Sequence, residues 1–380
     1  MSNFYINPNV LKTLEVDCPG KEPKNFHERL PEYRPTPLIS SEKAADKLGV
    51  SRVWVKDESS RLGLPAFKIL GASWAVYRVL EERFDIRSDA WESIDQLKEI
   101  FDEAGPMTLV AATDGNHGRA VARVASWFGL HARIFVPKGT VRARIGAIES
   151  EGALVTVVDG DYDKAVAAAA KEEGPLSLLI QDTGWPGYET IPAQVIDGYS
   201  TMFWEIDEQL RAIGESTPDL VVVQIGVGSL ASAAVRFYRC MDGRKAPAIL
   251  GVEPEGAACA FESARADRMV TVPGPHTSVM AGLNCQTLSS VAWPTLRQGI
   301  DAFVVVGNSR AFEAMRLLAE DGIVSGESGS AGMAGLLETI ESDEGKMFQE
   351  RFGLGSSDRI LVISTEGATD PDMYKRAVGG

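Results

Sequence analysis

Lys68 is the side chain of this sequence whose type and surroundings most favour covalent chemistry. It lies in the mostly apolar segment LPAFKILGA, between Phe67 and Ile69. Partial desolvation disfavours an ammonium and favours a neutral amine, which can form a Schiff base with an aldehyde. The local sequence leaves an alternative open, in which the lysine stem covers apolar surface and its amino group reaches water.

A second segment with chemical potential is ATDGNHGR, residues 112–119, which follows a buried apolar strand and precedes a helix. Gly115 and Gly118 permit a tight turn with outward backbone amides, and the following helix N-terminus favours an anion such as a carboxylate or a phosphate. Gly and Asn are also ordinary turn residues. Asp114 is an acid inside this anion-favouring loop, and we interpret it as a working acid or base.

The segment QIGVGSL, residues 224–230, has the composition of a glycine-rich phosphate-binding loop. Small residues let backbone amides approach phosphate oxygens, and the dipole of the following helix adds attraction. A dinucleotide site is the alternative, but Ala231 stands where a third glycine would complete the GxGxxG pattern. Glu253 is the acid that this alternative would require.

Two further strand ends carry polar side chains. Ser364 and Thr365 follow the last apolar strand, where a hydroxyl can bond to a heterocyclic nitrogen or cap the loop. Asp182 follows the strand-like run before GWPGYE, and it can serve as an acid or simply cap a turn.

The composition is that of a globular protein of two domains. The 380 residues are 44% hydrophobic, and 38 basic against 53 acidic residues give a net charge of −15, which disfavours nucleic acid and anionic membranes as partners. The scattered four cysteines and four histidines predict reduced thiols in a cytoplasmic protein and no metal site. We see neither a signal peptide nor an apolar run of about 18 residues.

The elements that must position these residues alternate along the chain. A helix is predicted over 68–83, and short apolar strands alternate with helices over 108–181 and again over 219–364. This order predicts an α/β fold with two open, twisted, mostly parallel sheets that carry helices on both faces. We predict a large cofactor-binding domain, 1–88 and 191–380, with a smaller α/β domain, 89–190, inserted into it. Residues 253–302 read as a loop-rich excursion, and a cleft between the domains is the expected ligand site.

Taken in order, the motifs resemble the fold-type II pyridoxal phosphate enzymes, the tryptophan synthase β-like group, and within it the ammonia-lyases that act on 2,3-diaminopropionate. The motifs that carry the resemblance are YRPTPL (33–38), WVKDES (54–59), AFK (66–68), TDGNHG (113–118), QDT (181–183), MAGL (280–283) and STEG (364–367). The chain departs from the family pattern at Pro65 and Ala368, where we expect Asn and Asp, and this bears on the choice of substrate.

The resemblance implies pyridoxal 5'-phosphate as cofactor and Lys68 as its Schiff-base lysine. It implies that Asn116 contacts the phenolic oxygen, that the loop at 226–230 holds the phosphate, and that Thr365 or Ser364 faces the pyridine nitrogen. The expected cofactor-binding residues are therefore Phe67, Lys68, Asn116, Gly226, Val227, Gly228, Ser229, Leu230, Ser364 and Thr365.

The implied reaction is β-elimination of ammonia from 2,3-diaminopropionate, which gives pyruvate and ammonia. Lys68, Asp114 and Asp182 are the expected catalytic residues, with Lys68 and Asp114 as bases on opposite sides of the substrate Cα. Two alternatives remain. One is β-elimination or β-replacement on serine, threonine or O-acetylserine by the same scaffold, and the other is a non-catalytic nucleotide-binding protein. The resemblance also implies a homodimer.

Overall fold

The computed structural model describes residues 2–87, 90–102, 105–113, 115–240 and 245–379. Its strands are β1 (Phe4–Ile6), β2 (Leu38–Ser40), β3 (Arg52–Asp57), β4 (Thr108–Ala112), β5 (His131–Pro137), β6 (Leu154–Val158), β7 (Ser177–Leu179), β8 (Leu220–Gln224), β9 (Ala248–Pro254), β10 (Ala302–Val306) and β11 (Arg359–Ser364).

The helices alternate with these strands over most of the chain. They are α1 (Glu22–His27), α2 (Glu42–Leu48), α3 (Lys68–Phe84), α4 (Ile94–Asp102), α5 (Asn116–Phe128), α6 (Arg142–Glu149), α7 (Tyr162–Ala170), α8 (Thr190–Ala212), α9 (Ser229–Arg239), α10 (Cys259–Ala266), α11 (Trp293–Gly299), α12 (Asn308–Glu320), α13 (Ala331–Glu341), α14 (Asp343–Phe352) and α15 (Pro371–Val378).

The larger sheet has the strand order β1-β10-β9-β8-β11-β3-β2. The neighbouring strands from β10 through β9, β8 and β11 to β3 pair in parallel. The short edge strands β1 and β2 pair antiparallel with β10 and β3. Every residue of β8 and β9 is buried, as expected for central strands covered by helices on both faces. Because β8 lies between β9 and β11, the loops that follow β8 and β11 meet at one sheet edge.

The smaller sheet is fully parallel, with the order β6-β5-β4-β7. β4 lies between β5 and β7, so that the chain leaves β4 toward one side of the sheet and returns to its other side. The loops that follow β4 and β7 therefore start next to each other, at the position where open α/β sheets bind ligands.

These observations confirm the predicted fold class of two mostly parallel sheets flanked by helices. The chain forms two compact units, one of Met1–Gly20, Pro35–Ser60 and Met202–Gly380, the other of Lys21–Arg34 and Arg61–Thr201. Their boundaries differ from the predicted domain limits, since α3, assigned from the sequence to the large domain, packs against α5 in the second unit. The loop-rich excursion also contains α10 and α11, which its Gly, Pro and Ser content concealed.

The expectation of four reduced cysteines is wrong for one pair. Cys18 and Cys240 form a disulfide with a Cα–Cα distance of 5.4 Å, inside the usual range for such a bond. They are 222 residues apart in the sequence, so their spacing gave no sign of the pairing. Cys259 and Cys285 are free and buried.

Among the helices of the described residues, none has both the length and the apolar character that crossing a bilayer requires.

Candidate active site

Lys68 is the first residue of α3, as the sequence predicted, and it forms an ion pair with Asp182. Its Nζ lies 2.5 Å from Oδ2 of Asp182, and the side chains are 20% and 6% exposed. A cation in the first turn of a helix faces the positive end of the helix dipole, and the carboxylate offsets this. The expected partial burial of Lys68 is present, but the local sequence did not reveal that Asp182 stabilises its charged form.

Asp182 is held in its ionised form. Burial opposes its ionisation, but the charge and the hydrogen bond of Lys68, together with the charge of His117 when acid protonates that ring, lower the pKa of Asp182 to about 2. The residue follows β7 through Ile180 and Gln181, and the Gln181 Oε1 accepts a hydrogen bond from the backbone N–H of Ala112 at the end of β4. This bond ties the two neighbouring strand ends together.

His117, in the first turn of α5, is a third member of this cluster. Its Nε2 lies 2.8 Å from the carbonyl oxygen of Ile180, and its Nδ1 lies 3.9 Å from Oδ2 of Asp182. Burial lowers the pKa of His117, and the nearby Lys68 adds to this against the opposing effect of Asp182. A neutral ring whose Nε2–H donates to the carbonyl presents an Nδ1 lone pair to the carboxylate.

Two aromatic residues border Lys68. The rings of Phe67 and Tyr199 have centroids 4.7 Å apart, and the Lys68 Nζ lies 5.4 Å from the Phe67 ring centroid. The Tyr199 hydroxyl is buried, and Lys68 is its hydrogen-bonding and charged neighbour. Burial raises the pKa of Tyr199, so that its hydroxyl keeps its proton.

The structure describes only part of the loop at residues 112–119, the segment ATDGNHGR. Asn116 begins α5 directly before His117. Asp114, the predicted second base, lies outside the described residues.

In the other unit, the glycine-rich loop of residues 226–230 connects β8 to α9. Gly228 has φ +98°, and a Cβ there would lie 3.1 Å from the side chains of Ala292 and Leu296. A Cβ on Gly226 would lie 3.1 Å from the carbonyl oxygen of Gly282. Larger residues would therefore displace a loop whose amides belong to the first turn of α9, where N–H groups lack intrahelical partners.

Gln224 joins this loop to the end of β11. Its side-chain Nε2 contacts Thr365 Oγ1 at 2.9 Å and the carbonyl oxygens of Ser328, Gly329 and Ile363 at 3.1 to 3.2 Å. Because all four neighbours accept hydrogen bonds, the amide orientation is determined. Its Oε1 is buried without a partner among the described residues.

The two candidate hydroxyls differ in their bonds. Ser364 donates to Ser325 Oγ at 2.8 Å and is fully buried. Thr365 accepts the bond from Gln224 and donates a long hydrogen bond, 3.4 Å, to the Ser328 carbonyl oxygen.

Glu253, the acid of the dinucleotide alternative, has a structural role instead. Its carboxyl oxygens accept backbone N–H groups of Ala260 and Phe261 at 2.8 and 2.6 Å, in the first turn of α10. Burial raises the pKa of Glu253 to about 8 against the effect of these bonds. Glu253 is 1% exposed and caps α10, which argues against a contact with a ribose and so against this alternative.

A lysine at a helix N-terminus, a glycine-rich loop before a second helix and a hydroxyl at a neighbouring strand end fit an enzyme that uses pyridoxal phosphate. The family model for pyridoxal-phosphate dependent enzymes matches residues 29–365. The chain belongs to this family.

The similarity extends to particular relatives. The chain is 36% identical to the diaminopropionate ammonia-lyases of Salmonella typhimurium and Escherichia coli, over 94% of this chain and 91% of each relative. The crystal structure of the Escherichia coli diaminopropionate ammonia-lyase in complex with D-serine matches with a TM-score of 0.89 and 33% identity, over 99% of this chain and 96% of that one. These matches agree with the resemblance inferred from the motifs.

The residues present fit the cofactor. The loop at 226–230 is tightly packed at its two glycines and ends in a helix N-terminus, which suits a phosphate. Thr365 offers a hydroxyl beside a buried amide, and Lys68 offers the amine. When bound, the cofactor withdraws electrons from the substrate Cα and so makes its proton acidic.

His117, Tyr199 and Gln224 are site residues that sequence reasoning missed. His117 stood within a motif that the sequence analysis selected, and Gln224 is a polar residue at the end of a buried apolar strand. Those two signals were available. Tyr199 lies inside the long helix α8, and nothing in its sequence neighbours distinguished it.

Proposed function

We propose that this enzyme converts 2,3-diaminopropionate and water into pyruvate and two molecules of ammonia. The single observation that carries this proposal is 36% identity to diaminopropionate ammonia-lyases over nearly the whole of both chains. In the reaction the Cα–H and Cβ–N bonds break, the β-nitrogen leaves as ammonia, and hydrolysis releases the α-nitrogen as the second ammonia.

Lys68 has two roles in this proposal. In the resting enzyme its Nζ would hold the cofactor covalently through the aldehyde carbon, and binding of the substrate would release the amine. The released amine accepts the proton from the substrate Cα. The short contact with Asp182 supports this role, because the carboxylate stabilises the ammonium that results.

Asp182 is proposed to bind the β-ammonium of the substrate and to keep it protonated. An amine leaves only in its protonated form, so a site that favours the cation also favours elimination. The ionised, buried carboxylate supports this role. Asp114 is proposed as the base on the other side of Cα, for the second substrate enantiomer.

The glycine-rich loop, residues 226–230, is proposed to hold the cofactor phosphate, and Asn116 to contact the phenolic oxygen. Thr365 is proposed to donate to the pyridine nitrogen, because its present bond to Ser328 is long, at 3.4 Å, whereas Ser364 donates to Ser325 at 2.8 Å. A matched pair tests this choice. Thr365→Val should weaken cofactor binding more than Ser364→Ala, and the opposite order would contradict it.

The product ratio tests the function. The purified protein with added pyridoxal phosphate is incubated with D- and L-diaminopropionate, serine, threonine and O-acetylserine, and ammonia and keto acid are measured. Diaminopropionate should give two ammonia per pyruvate, whereas serine can give only one. Turnover confined to serine or threonine would overturn the proposal in favour of a dehydratase.

We also propose a homodimer in the cytoplasm, as the family resemblance implies. The mass from light scattering on a sizing column tests the first part. The Cys18–Cys240 disulfide argues against the cytoplasmic location, because such bonds persist mainly in oxidising compartments.

A further inference from the structure

His117 carries a feature that the proposed chemistry has not used. The ring is only 5% exposed, yet its Nδ1 has no hydrogen-bond partner among the described residues. An unsatisfied buried polar atom costs stability, and where it persists beside reactive groups it marks a place for a ligand.

The tautomer of His117 is set by its other nitrogen. The Ile180 carbonyl oxygen, 2.8 Å from Nε2, can only accept a hydrogen bond, so Nε2 carries a proton, and in the neutral ring, which burial favours, Nδ1 carries a lone pair. This lone pair and the Asp182 Oδ2, 3.9 Å away, are two acceptors that face each other. Two acceptors at this distance repel unless a donor lies between them.

The donor that suits such a pair is a small cation with several N–H groups. A nitrogen about 2.8 Å from each acceptor, the usual length of a charge-assisted bond, would subtend an angle of about 90° between them, which a tetrahedral ammonium tolerates. The Lys68 ammonium, 2.5 Å from the same Oδ2, shows that a primary ammonium is accommodated at this carboxylate.

We infer that His117 Nδ1 and Asp182 form the subsite for the β-ammonium of the substrate and that His117 selects substrates with an amine at Cβ. This inference rests on the proposed function and adds a residue to it. A neutral histidine accepts one N–H of the ammonium without repelling it, whereas Asp182 supplies the charge. Serine, with one O–H at Cβ, can satisfy only one of the two acceptors.

Two substitutions separate this role from a structural one. His117→Gln places an amide N–H near the Nε2 position, where it can still donate to Ile180, and removes the acceptor at Nδ1. His117→Asn places an amide oxygen near the Nδ1 position and gives up the bond to Ile180. The first variant should lose the preference for the amine, and the second should keep part of it.

Binding is measured first, by the change in cofactor absorbance when the holoenzyme is titrated with 2,4-diaminobutyrate and with alanine. Neither ligand has a leaving group at Cβ, and only the first carries a second amine. The dissociation constant of alanine divided by that of 2,4-diaminobutyrate should fall roughly tenfold to a hundredfold in His117→Gln, the usual range for a lost bond to a charged group. His117→Asn should recover much of it.

Turnover is measured second, as the ratio of kcat/KM for diaminopropionate over serine. His117→Gln should lower this ratio by a similar factor, mainly through KM. If the variant impairs binding and turnover of all ligands equally, or if His117→Asn recovers nothing, the inference is overturned. If the wild type fails to release two ammonia per pyruvate, the proposed function fails instead, and the binding ratio still reports on the subsite.

Discussion

At the scale of single residues, the proposed chemistry depends on the pair Lys68 and Asp182. The lysine amine has to act both as a covalent partner and as a base, and the Asp182 carboxylate, 2.5 Å away, stabilises the protonated lysine. The neighbours in sequence revealed the lysine but not the carboxylate, because the contact depends on how α3 packs beside the loop after β7. Contacts of this kind are fixed by tertiary structure alone.

Replacing Lys68 should separate chemistry from stability. Lys68→Ala should lower turnover of diaminopropionate by roughly a hundredfold or more and remove the visible absorbance of the covalently bound cofactor. It also leaves Asp182 buried without its cation and should lower the free energy of unfolding. Lys68→Arg, which keeps the charge but cannot replace the amine, is the control. It should lose turnover while it retains most of the stability, measured by urea unfolding.

The carboxylate of Asp182 should make stability depend on acid pH. The pKa of Asp182 is about 2 in the folded protein and near 3.8 in the unfolded chain, so its contribution is present above about pH 4 and is lost as the pH falls toward 2. We expect the wild type to exceed Asp182→Asn by roughly 2 kcal/mol at pH 7, with a gap that shrinks below pH 4. The free energies of unfolding are measured in urea between pH 3 and pH 7, and a difference between the two proteins that does not change with pH would contradict this.

At the scale of elements, the sequence revealed most of the regular structure. The long helix α3 was predicted within one residue of its observed end, and the predicted alternation of strands and helices over 108–181 and 219–364 is present. The short pieces were missed: β1 and β2 have three residues each, too few to show a period. Helix α10 was concealed because its first turn is capped by Glu253, which lies at the end of the preceding strand, β9, outside the helix.

The turn from β8 into α9 gives a prediction about cofactor affinity. Gly228→Ala combines an unfavourable φ of +98° with a Cβ tightly packed against Ala292 and Leu296, and should displace the loop amides. We expect the dissociation constant of pyridoxal phosphate to rise roughly tenfold, measured by absorbance after dialysis.

Gly353 provides the matched control for that substitution. It also has positive φ, +65°, but caps α14, and a Cβ there would meet nothing within 4 Å. Gly353→Ala therefore carries the backbone strain without touching the loop, and it should leave the cofactor affinity unchanged. Equal weakening by both variants would show that the loop has no special role.

At the scale of the whole molecule, the order of motifs predicted the α/β class, and the sheet topology confirms it. What the sequence did not reveal is which segments pack together across long separations. Residues 61–87 belong with the second compact unit, and the Cys18–Cys240 link joins positions 222 residues apart. Local patterns carry no information on such pairings, since these depend on how complete helices and sheets pack.

The disulfide should contribute measurably to global stability. Closing a long loop restricts the unfolded chain, and for a separation of this size we expect a loss of about 3 to 5 kcal/mol in the double variant Cys18→Ser, Cys240→Ser. Reductant should destabilise the wild type by a similar amount and leave the double variant unaffected. A wild type whose urea midpoint ignores reductant would contradict the prediction.

The redox state of the same disulfide can be used to report the environment in which the chain folded. One end of α9 follows the glycine-rich loop, and just past the other end Cys240 is tied to Cys18 near the start of the chain. A polypeptide closed into a ring of this size migrates differently from its linear form when denatured without reductant. Cells quenched with a thiol-alkylating reagent would therefore preserve, in the mobility of this one band, whether each molecule matured in an oxidising or a reducing environment.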